Sequence, residues 1–316
     1  MNLRKIGYFF LMTGLLILFS GTANAQQPVA GEEALFTTST SPDALIVLDL
    51  SGSMSSNPAG GSYKYGSSES CTADTTNCVT GSSAVTCGGG FCVSAKSGCN
   101  IDCSRLAIAK RAIFNILDDN KDGVVNSSDE GSLGVRMGYM RFYNCGTASQ
   151  EQVGTYSYTS GCNTLIRAID SKYSLTYCAN NTSCTITSGA SASTCVSGEN
   201  ASGGTPIASP LHEAKLYLDA HKAADRAGAC RQKFVILMTD GGDTLACGGN
   251  GSESQADMYK RRRESVAKAK ALADAGYKVF VVGIGSPMTD SLKYTLNWMA
   301  YFGGTDNPNV TNSGSI

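Results

Sequence analysis

Apolar runs of ordinary length alternate along the chain with Gly/Ser/Thr/Cys-rich stretches that hold few large apolar side chains. Ala44 to Leu50 is nearly continuous in apolar residues and stops at Ser51-Gly52. Such a run predicts a strand buried on both faces. Ser104 to Leu117 places Leu106, Ile108, Ala109, Ile113, Ile116 and Leu117 near helical spacing, with Ser104 available as N-cap. Leu133–Phe142, Lys233–Thr239 and Val279–Ile284 read as three further strands. Thr205 is predicted to cap a helix that has Pro206 in its first position and runs to about Ala223. Residues 253–275 predict a charged helix closed by Gly276, and residues 291–301 a last helix that Trp298 packs onto the sheet. A short helix is expected near Asn163–Ser171.

Buried strands alternating with helices predict an α/β fold, a Rossmann-like and mostly parallel sheet with helices on both faces. Two stretches interrupt it. Residues 55–103 contain six Cys amid Gly and Ser, and residues 144–203 are a second Cys-rich insertion. Neither holds enough apolar surface for a core of its own, so both need disulfide staples. The domain is expected over residues 43–303, followed by a loose polar tail at 304–316. No internal repeat occurs.

The amino terminus carries a different pattern. Arg4-Lys5, an apolar run from Ile6 to Phe19 and the small residues Ala23-Asn24-Ala25 form the three parts of a secretory signal peptide, residues 1–25. The run is short for a membrane span, and no later segment reads as one. The expected mature protein is exported without an integral span, to the cell surface, a pilus, the medium or the periplasm. Without the leader, 23 basic side chains face 26 acidic ones, which argues against nucleic-acid binding. All 13 Cys follow the leader and read as disulfides, with one left over. Zinc and haem fit poorly, because there is no C-x-x-C and only His212 and His221 are present. Cys145–Cys162 and Cys230–Cys247 are the expected local closures.

The candidate chemistry sits where strands end. Asp49-Leu50-Ser51-Gly52-Ser53 follows the first strand, Gly203-Gly204-Thr205-Pro206 opens a helix, and Thr239-Asp240-Gly241 ends the third strand. Ligands bind outside the carboxyl ends of the strands in such sheets. Two carboxylates and three hydroxyls suit a hard cation, Mg²⁺ or else Mn²⁺ or Ca²⁺. These pieces, in this chain order, resemble the metal-ion-dependent adhesion site of the von Willebrand factor A family. Asp49, Ser51, Ser53, Thr205 and Asp240 match its five positions. The resemblance implies a cation with an open coordination position that takes a carboxylate from a protein or surface ligand. Together with the leader, the Cys-rich insertions and Tyr301-Phe302-Gly303-Gly304-Thr305-Asp306, Asp49-Leu50-Ser51-Gly52-Ser53-Met54 resembles the amino-terminal domain of type IV pilus tip-associated adhesins of the PilC/PilY type. A β-propeller follows in that family. The present chain ends just past the last helix, so the expected partners are pilus proteins or a separate propeller-bearing chain.

Asp118 to Glu130 resembles an EF-hand calcium loop. Asp118, Asn120, Asp122, the Val124 carbonyl, Asn126 and Asp129 fall at positions 1, 3, 5, 7, 9 and 12, with Gly123 at the turn. Asp129 replaces the usual Glu, Glu130 comes one residue late, and a strand is expected to follow. A Ca²⁺ there would lock the turn structurally.

Other signals carry less. Ser51 and Ser53 lack the G-x-S-x-G setting of a nucleophile. His212 reads as surface or packing. Gly283-Ile284-Gly285 reads as a turn, and Lys260–Arg263 as a solvated helix face. No enzyme activity is expected. An adhesion module is the leading expectation, and a structural pilus or envelope component whose metals only stabilise the fold is the alternative.

Overall fold

The computed structural model describes residues 40–56, 104–143, 149–153, 156–160, 165–178, 195–199, 201–245, 257–285, 288–306, 312 and 314. The leader, nearly all of the first insertion and much of the second lie outside these.

The first strand, β1, spans Asp43–Asp49 and is buried at every position. Alternate side chains feed opposite layers. Leu45 and Val47 join one core, and Ala44, Ile46 and Leu48 join the other. This is why the run shows no polar alternation. Helix α1 follows at Arg105–Leu117, with Ser104 Oγ accepting the Ala107 N–H as its cap. Helix α2 spans Ser127–Leu133 and strand β2 spans Arg136–Phe142. A separate hairpin pairs β3, Ser149–Val153, with β4, Tyr156–Ser160. Then come β5 (Leu165–Arg167), α3 (Tyr173–Tyr177) and α4 (Ala208–Ala224). The chain continues through β6 (Lys233–Thr239), α5 (Met258–Asp274), β7 (Tyr277–Gly283) and α6 (Asp290–Phe302).

The main sheet has the order β5-β2-β1-β6-β7, and only β5 runs antiparallel. Helices α4, α5 and α6 cover the face of Leu45 and Val47, through Leu211, Leu272 and Leu296. Helices α1 and α3 cover the other, through Ile113, Phe114 and Tyr177. The expected fold class is therefore the observed one. From β1 the chain moves first to β2 on one side and later to β6 on the other. The crevice between the carboxyl ends of β1 and β6 is thus a topological switch point, where open α/β sheets bind ligands.

Several local expectations change. The helix expected near Asn163–Ser171 is instead β5, which adds to the free edge of β2, with α3 after it. Thr205 does not cap α4; the helix begins at Ala208, with Ile207 at the cap position. A helix, not a strand, follows Asp118–Asn126. Its sequence Ser127-Ser128-Asp129-Glu130 lacks an apolar stripe, but a reciprocal capping box between Asn126 and Asp129 starts it. Arg261 points inward from the basic run to Asp243. Trp298 sits on the outer side of α6 against Tyr301 and Phe302, while Met299 and Leu296 face the sheet. The tail is tethered at two points: Thr305 Oγ1 donates to the Val279 carbonyl, and Trp298 Nε1 donates to the Gly314 carbonyl.

The foot of the second insertion is bolted to the core. Cys178 is bonded to Cys195. Lys110 is fully buried and donates to the Ser197 carbonyl (3.0 Å) and the Glu199 carbonyl (2.5 Å). The Glu199 carboxylate accepts from Tyr139 Oη (2.8 Å) and Arg141 Nη1 (2.5 Å). Burial raises its pKa, and Arg141 and Tyr139 oppose that rise. Cys145, Cys162 and Cys247 lie outside the described residues. Cys230 is an exposed free thiol, contrary to the expected closure onto Cys247.

Candidate metal centre

The five expected ligands gather at the β1–β6 crevice. Asp49 ends β1, and the chain turns at once into a short 3-10 helix at Gly52–Ser55. That turn returns Ser51 and Ser53 to the strand end, with their hydroxyls 3.0 Å apart. Ser53 Oγ donates to Asp240 Oδ1 at 2.8 Å. Asp240 follows the last residue of β6. The Thr205 loop is stitched to the β1 loop by Ser202 N–H to the Leu50 carbonyl (2.6 Å) and Gly52 N–H to the Gly203 carbonyl (3.0 Å). Gly203 makes that approach in the left-handed region, with φ 79°. A Cβ placed on Gly241 would lie 3.4 Å from Thr205 Oγ1 and 3.7 Å from Ser53 Oγ. The two hydroxyls therefore flank one point beside Asp240.

Asp49 is fully buried and Asp240 nearly so. Asp49 Oδ1 accepts the Ser51 N–H (2.7 Å), and its Oδ2 accepts the Thr239 hydroxyl (2.6 Å). Burial, reinforced by the charge of Asp240, holds the Asp49 carboxyl well above the usual carboxylate range. Burial also raises Asp240, against hydrogen bonds from Arg105 and Ser53. Arg105 Nη1 lies 2.5 Å from Asp240 Oδ2.

Of the two buried carboxylates, Asp240 pairs with Arg105, Asp49 is held by the Thr239 hydroxyl and the Ser51 N–H, and three hydroxyls stand beside them. Each carboxylate oxygen has a second acceptor position beyond the bond it makes. The donor set is all oxygen, so it fits a hard divalent cation and suits soft metals poorly.

Three contributors escaped the sequence reading. Arg105 opens α1, and nothing in its local pattern marks it. Thr239 orients Asp49. Asp243 is buried and accepts from the Ala208 N–H (3.1 Å) and Ser265 Oγ (3.1 Å), with Arg261 Nε 3.3 Å away. Burial raises its pKa despite these partners. Next to it, Thr244 N–H donates to the Thr205 carbonyl, and Thr205 N–H donates to Thr244 Oγ1. This segment fixes the backbone of Thr205. The run Thr239-Asp240-Gly241-Gly242-Asp243 holds a second acid, which was its only sequence signal.

A second acidic group lies at the opposite end of the sheet, at the amino terminus of β1. Asp43, His221 and Asp225 bring three potential ligand atoms within 4.8 Å of one another. Arg136 lies 2.7 Å from Asp43 and 2.9 Å from Asp225; Arg231 lies 2.7 Å from Asp225; Lys233 lies 3.5 Å from Asp43. Three cations already neutralise this group and would repel a fourth. Burial would raise Asp43 and Asp225, but the hydrogen bonds and charges of His221, Arg136 and Arg231 prevail. Asp43 is lowered, and Asp225 falls to about 2. It is a structural ion-pair hub.

In the Asp118–Glu130 loop, Asp118 Oδ2 accepts the Gly123 N–H, and Asp129 accepts the N–H groups of Asn120 and Asn126. Asn126 Oδ1 accepts the Ser128 N–H, and Glu130 Oε1 accepts the Tyr173 N–H. His212 is half-buried on α4. No helix among the described residues is long and apolar enough to cross a membrane.

No protein-family model and no curated protein matches the chain. Solved structures do resemble it, three of them as follows. A serine-substituted aerotolerance-related membrane protein from Bacteroides fragilis is 16% identical, with 86% of this chain and 92% of that one covered and a TM-score of 0.36. BatB from Bacteroides thetaiotaomicron is 15% identical, with 86% and 91% covered and a TM-score of 0.36. Manganese-loaded TRAP from Plasmodium vivax is 14% identical, with 87% and 66% covered and a TM-score of 0.36.

Proposed function

We propose that the chain is an exported, metal-dependent binding domain of the von Willebrand factor A type, engaging a carboxylate-bearing partner at the β1–β6 crevice. The observation that carries this reading is the convergence of Asp49, Ser51, Ser53, Thr205 and Asp240 at the switch point of the sheet. These residues would hold Mg²⁺ or Mn²⁺, which supplies an open coordination position for a carboxylate. The chain's own residues do the rest. Thr239 and the Ser51 N–H fix the Asp49 carboxylate, and Asp243 and Thr244 hold the Thr205 loop in place. No nucleophile–base pair is needed, so the chemistry is binding, not bond breaking.

The leader and the resemblance to pilus tip-associated adhesins support a place on the cell surface or the type IV pilus. The described residues that flank the two insertions include Ser53 and Thr205, and this supports assigning the choice of partner to the insertions. The test uses mature chain loaded with Mn²⁺ and acetate as probe, read by water-proton relaxation. Acetate is expected to displace Mn²⁺-bound water in the wild type, and Asp49→Ala to lose the Mn²⁺ signal while far-UV dichroism is retained. An acetate response that survives Asp49→Ala would refute the site. Fractionation of expressing cells is expected to find the chain, starting at Gln26, in sheared surface material; an uncleaved cytoplasmic chain would refute export.

A further inference from the structure

We propose that the loop from Asp118 to Asp129 is a Ca²⁺ site that braces the helical base on which the second insertion is docked. The site is separate from the β1–β6 crevice. It sits at the other end of α1, a helix of 13 residues and so about 20 Å long.

The first support is architecture. Helix α1 ends at Leu117 and α2 begins at Ser127, so the loop lies between two helices. Gly123 takes a left-handed turn there, with φ 84°. A helix–loop–helix with oxygen donors at alternate positions is the arrangement that wraps one Ca²⁺.

The second support is unmet electrostatics. Asp129 is fully buried and folds back across the loop, its two oxygens held by the Asn120 and Asn126 N–H groups at 3.2 and 2.8 Å. Asp118 is only 6% exposed, and its Oδ1 is buried with no hydrogen-bond partner. Its Oδ2 is turned into the loop by the Gly123 N–H at 3.0 Å. Asp118 and Asp129 are thus both turned into the loop by its own N–H groups. No Lys, Arg or His among the described residues forms an ion pair with Asp118, Asp122 or Asp129. The Asp43 hub, with its three cations, is the contrasting case. Buried carboxylates without a counter-charge are costly, and a divalent cation removes that cost.

The structure also sorts the ligands. Asp118, Asn120, Asp122, the Val124 carbonyl and Asp129 are the donors. Asn126 already caps α2 through the Ser128 N–H and reaches the cation through water at most. Glu130 is turned away to the Tyr173 N–H at 2.8 Å. That bond joins α2 to α3, and the Cys178–Cys195 bridge follows α3. The cation would thus stiffen the foot of the second insertion. Oxygen donors with flexible spacing and no His or Cys select Ca²⁺ over transition metals.

The test is calorimetry with Ca²⁺ on the mature full chain after chelation, alongside hydrogen exchange at α2 and α3. Asp122 is exposed, so Asp122→Ala leaves the core intact. Wild type and Asp49→Ala are expected to bind one Ca²⁺ at this loop, and Asp122→Ala to bind it about 100-fold more weakly. Ca²⁺ is expected to slow exchange at the Tyr173 amide in the wild type and in Asp49→Ala, and not in Asp122→Ala. Ca²⁺ binding that Asp49→Ala abolishes and Asp122→Ala leaves unchanged would overturn the proposal. So would folded wild type that takes up no Ca²⁺ at millimolar concentration. Neither result bears on Mg²⁺ or Mn²⁺ at the crevice, so the two sites fail or stand separately.

Discussion

Arg105 gives the sharpest quantitative handle on the metal centre. Its Nη1 lies 2.5 Å from Asp240 Oδ2, and the two side chains are 14% and 0% exposed. A cation held by Asp240 must share that carboxylate with the guanidinium. Charges of +2 and +1 about 6 Å apart repel by about 5 kcal/mol at an effective dielectric of about 20, and by about 1.4 kcal/mol in water. Arg105 is partly exposed, so a value of about 2–3 kcal/mol is appropriate, or about 30- to 150-fold in affinity. Arg105→Gln is therefore expected to bind Mg²⁺ or Mn²⁺ about 30- to 150-fold more tightly. Without metal the same change exposes two buried carboxylates to each other. Removing one partner of a buried pair costs about 3–5 kcal/mol, and partial exposure of Arg105 favours the lower end. The metal-free Tm should fall by about 6–12 °C, and saturating metal should restore most of it. Calorimetry and thermal melts with and without metal measure both halves. Unchanged or weaker metal binding in Arg105→Gln would refute the shared-carboxylate reasoning.

Three further expectations follow from the same packing. Lys110→Met strips the buried Ser197 and Glu199 carbonyls of their donor; it should cost about 2–4 kcal/mol in denaturant melts, and a loss below about 1 kcal/mol would contradict the bolt. Gly138→Ala puts a Cβ 2.9 Å from Ile169 Cγ1 and 3.1 Å from the Ile169 backbone nitrogen; about 1–3 kcal/mol should be lost, and unchanged stability would show that the β2–β5 edge yields freely. Asp225 is lowered to about 2 from an ordinary 3.8, so its unfolded form binds protons first on acidification. Its stabilising effect is complete above about pH 4 and fades towards pH 2. Asp225→Asn should flatten the acid limb of the stability curve, and an unaltered limb would place the acid sensitivity elsewhere.

Much of the fold was legible because β1 and β6 are apolar on both faces, and only a covered parallel sheet needs that. The metal centre was legible because Asp49, Ser51 and Ser53 are neighbours in sequence, while Thr205 and Asp240 sit at element ends that the pattern had already located. Contacts without a local signature were not. Arg105 reaches Asp240 across 135 positions, and Thr239 reaches Asp49 across 190. Helix α2 was missed because caps hold it without an apolar stripe, although Asn126-x-x-Asp129 was a readable capping signal. Strand β5 has three residues and exists only because β2 offers an edge. Arg261 looked solvated because its run is basic; its partner Asp243 comes from another element.

The most direct test of the central claim is anomalous scattering from crystals of the mature chain soaked in Mn²⁺. The expected result is a peak within the oxygens of Asp49, Ser51, Ser53, Thr205 and Asp240. A peak at Asp43, His221 and Asp225 instead, with none at the carboxyl ends of β1 and β6, would contradict it.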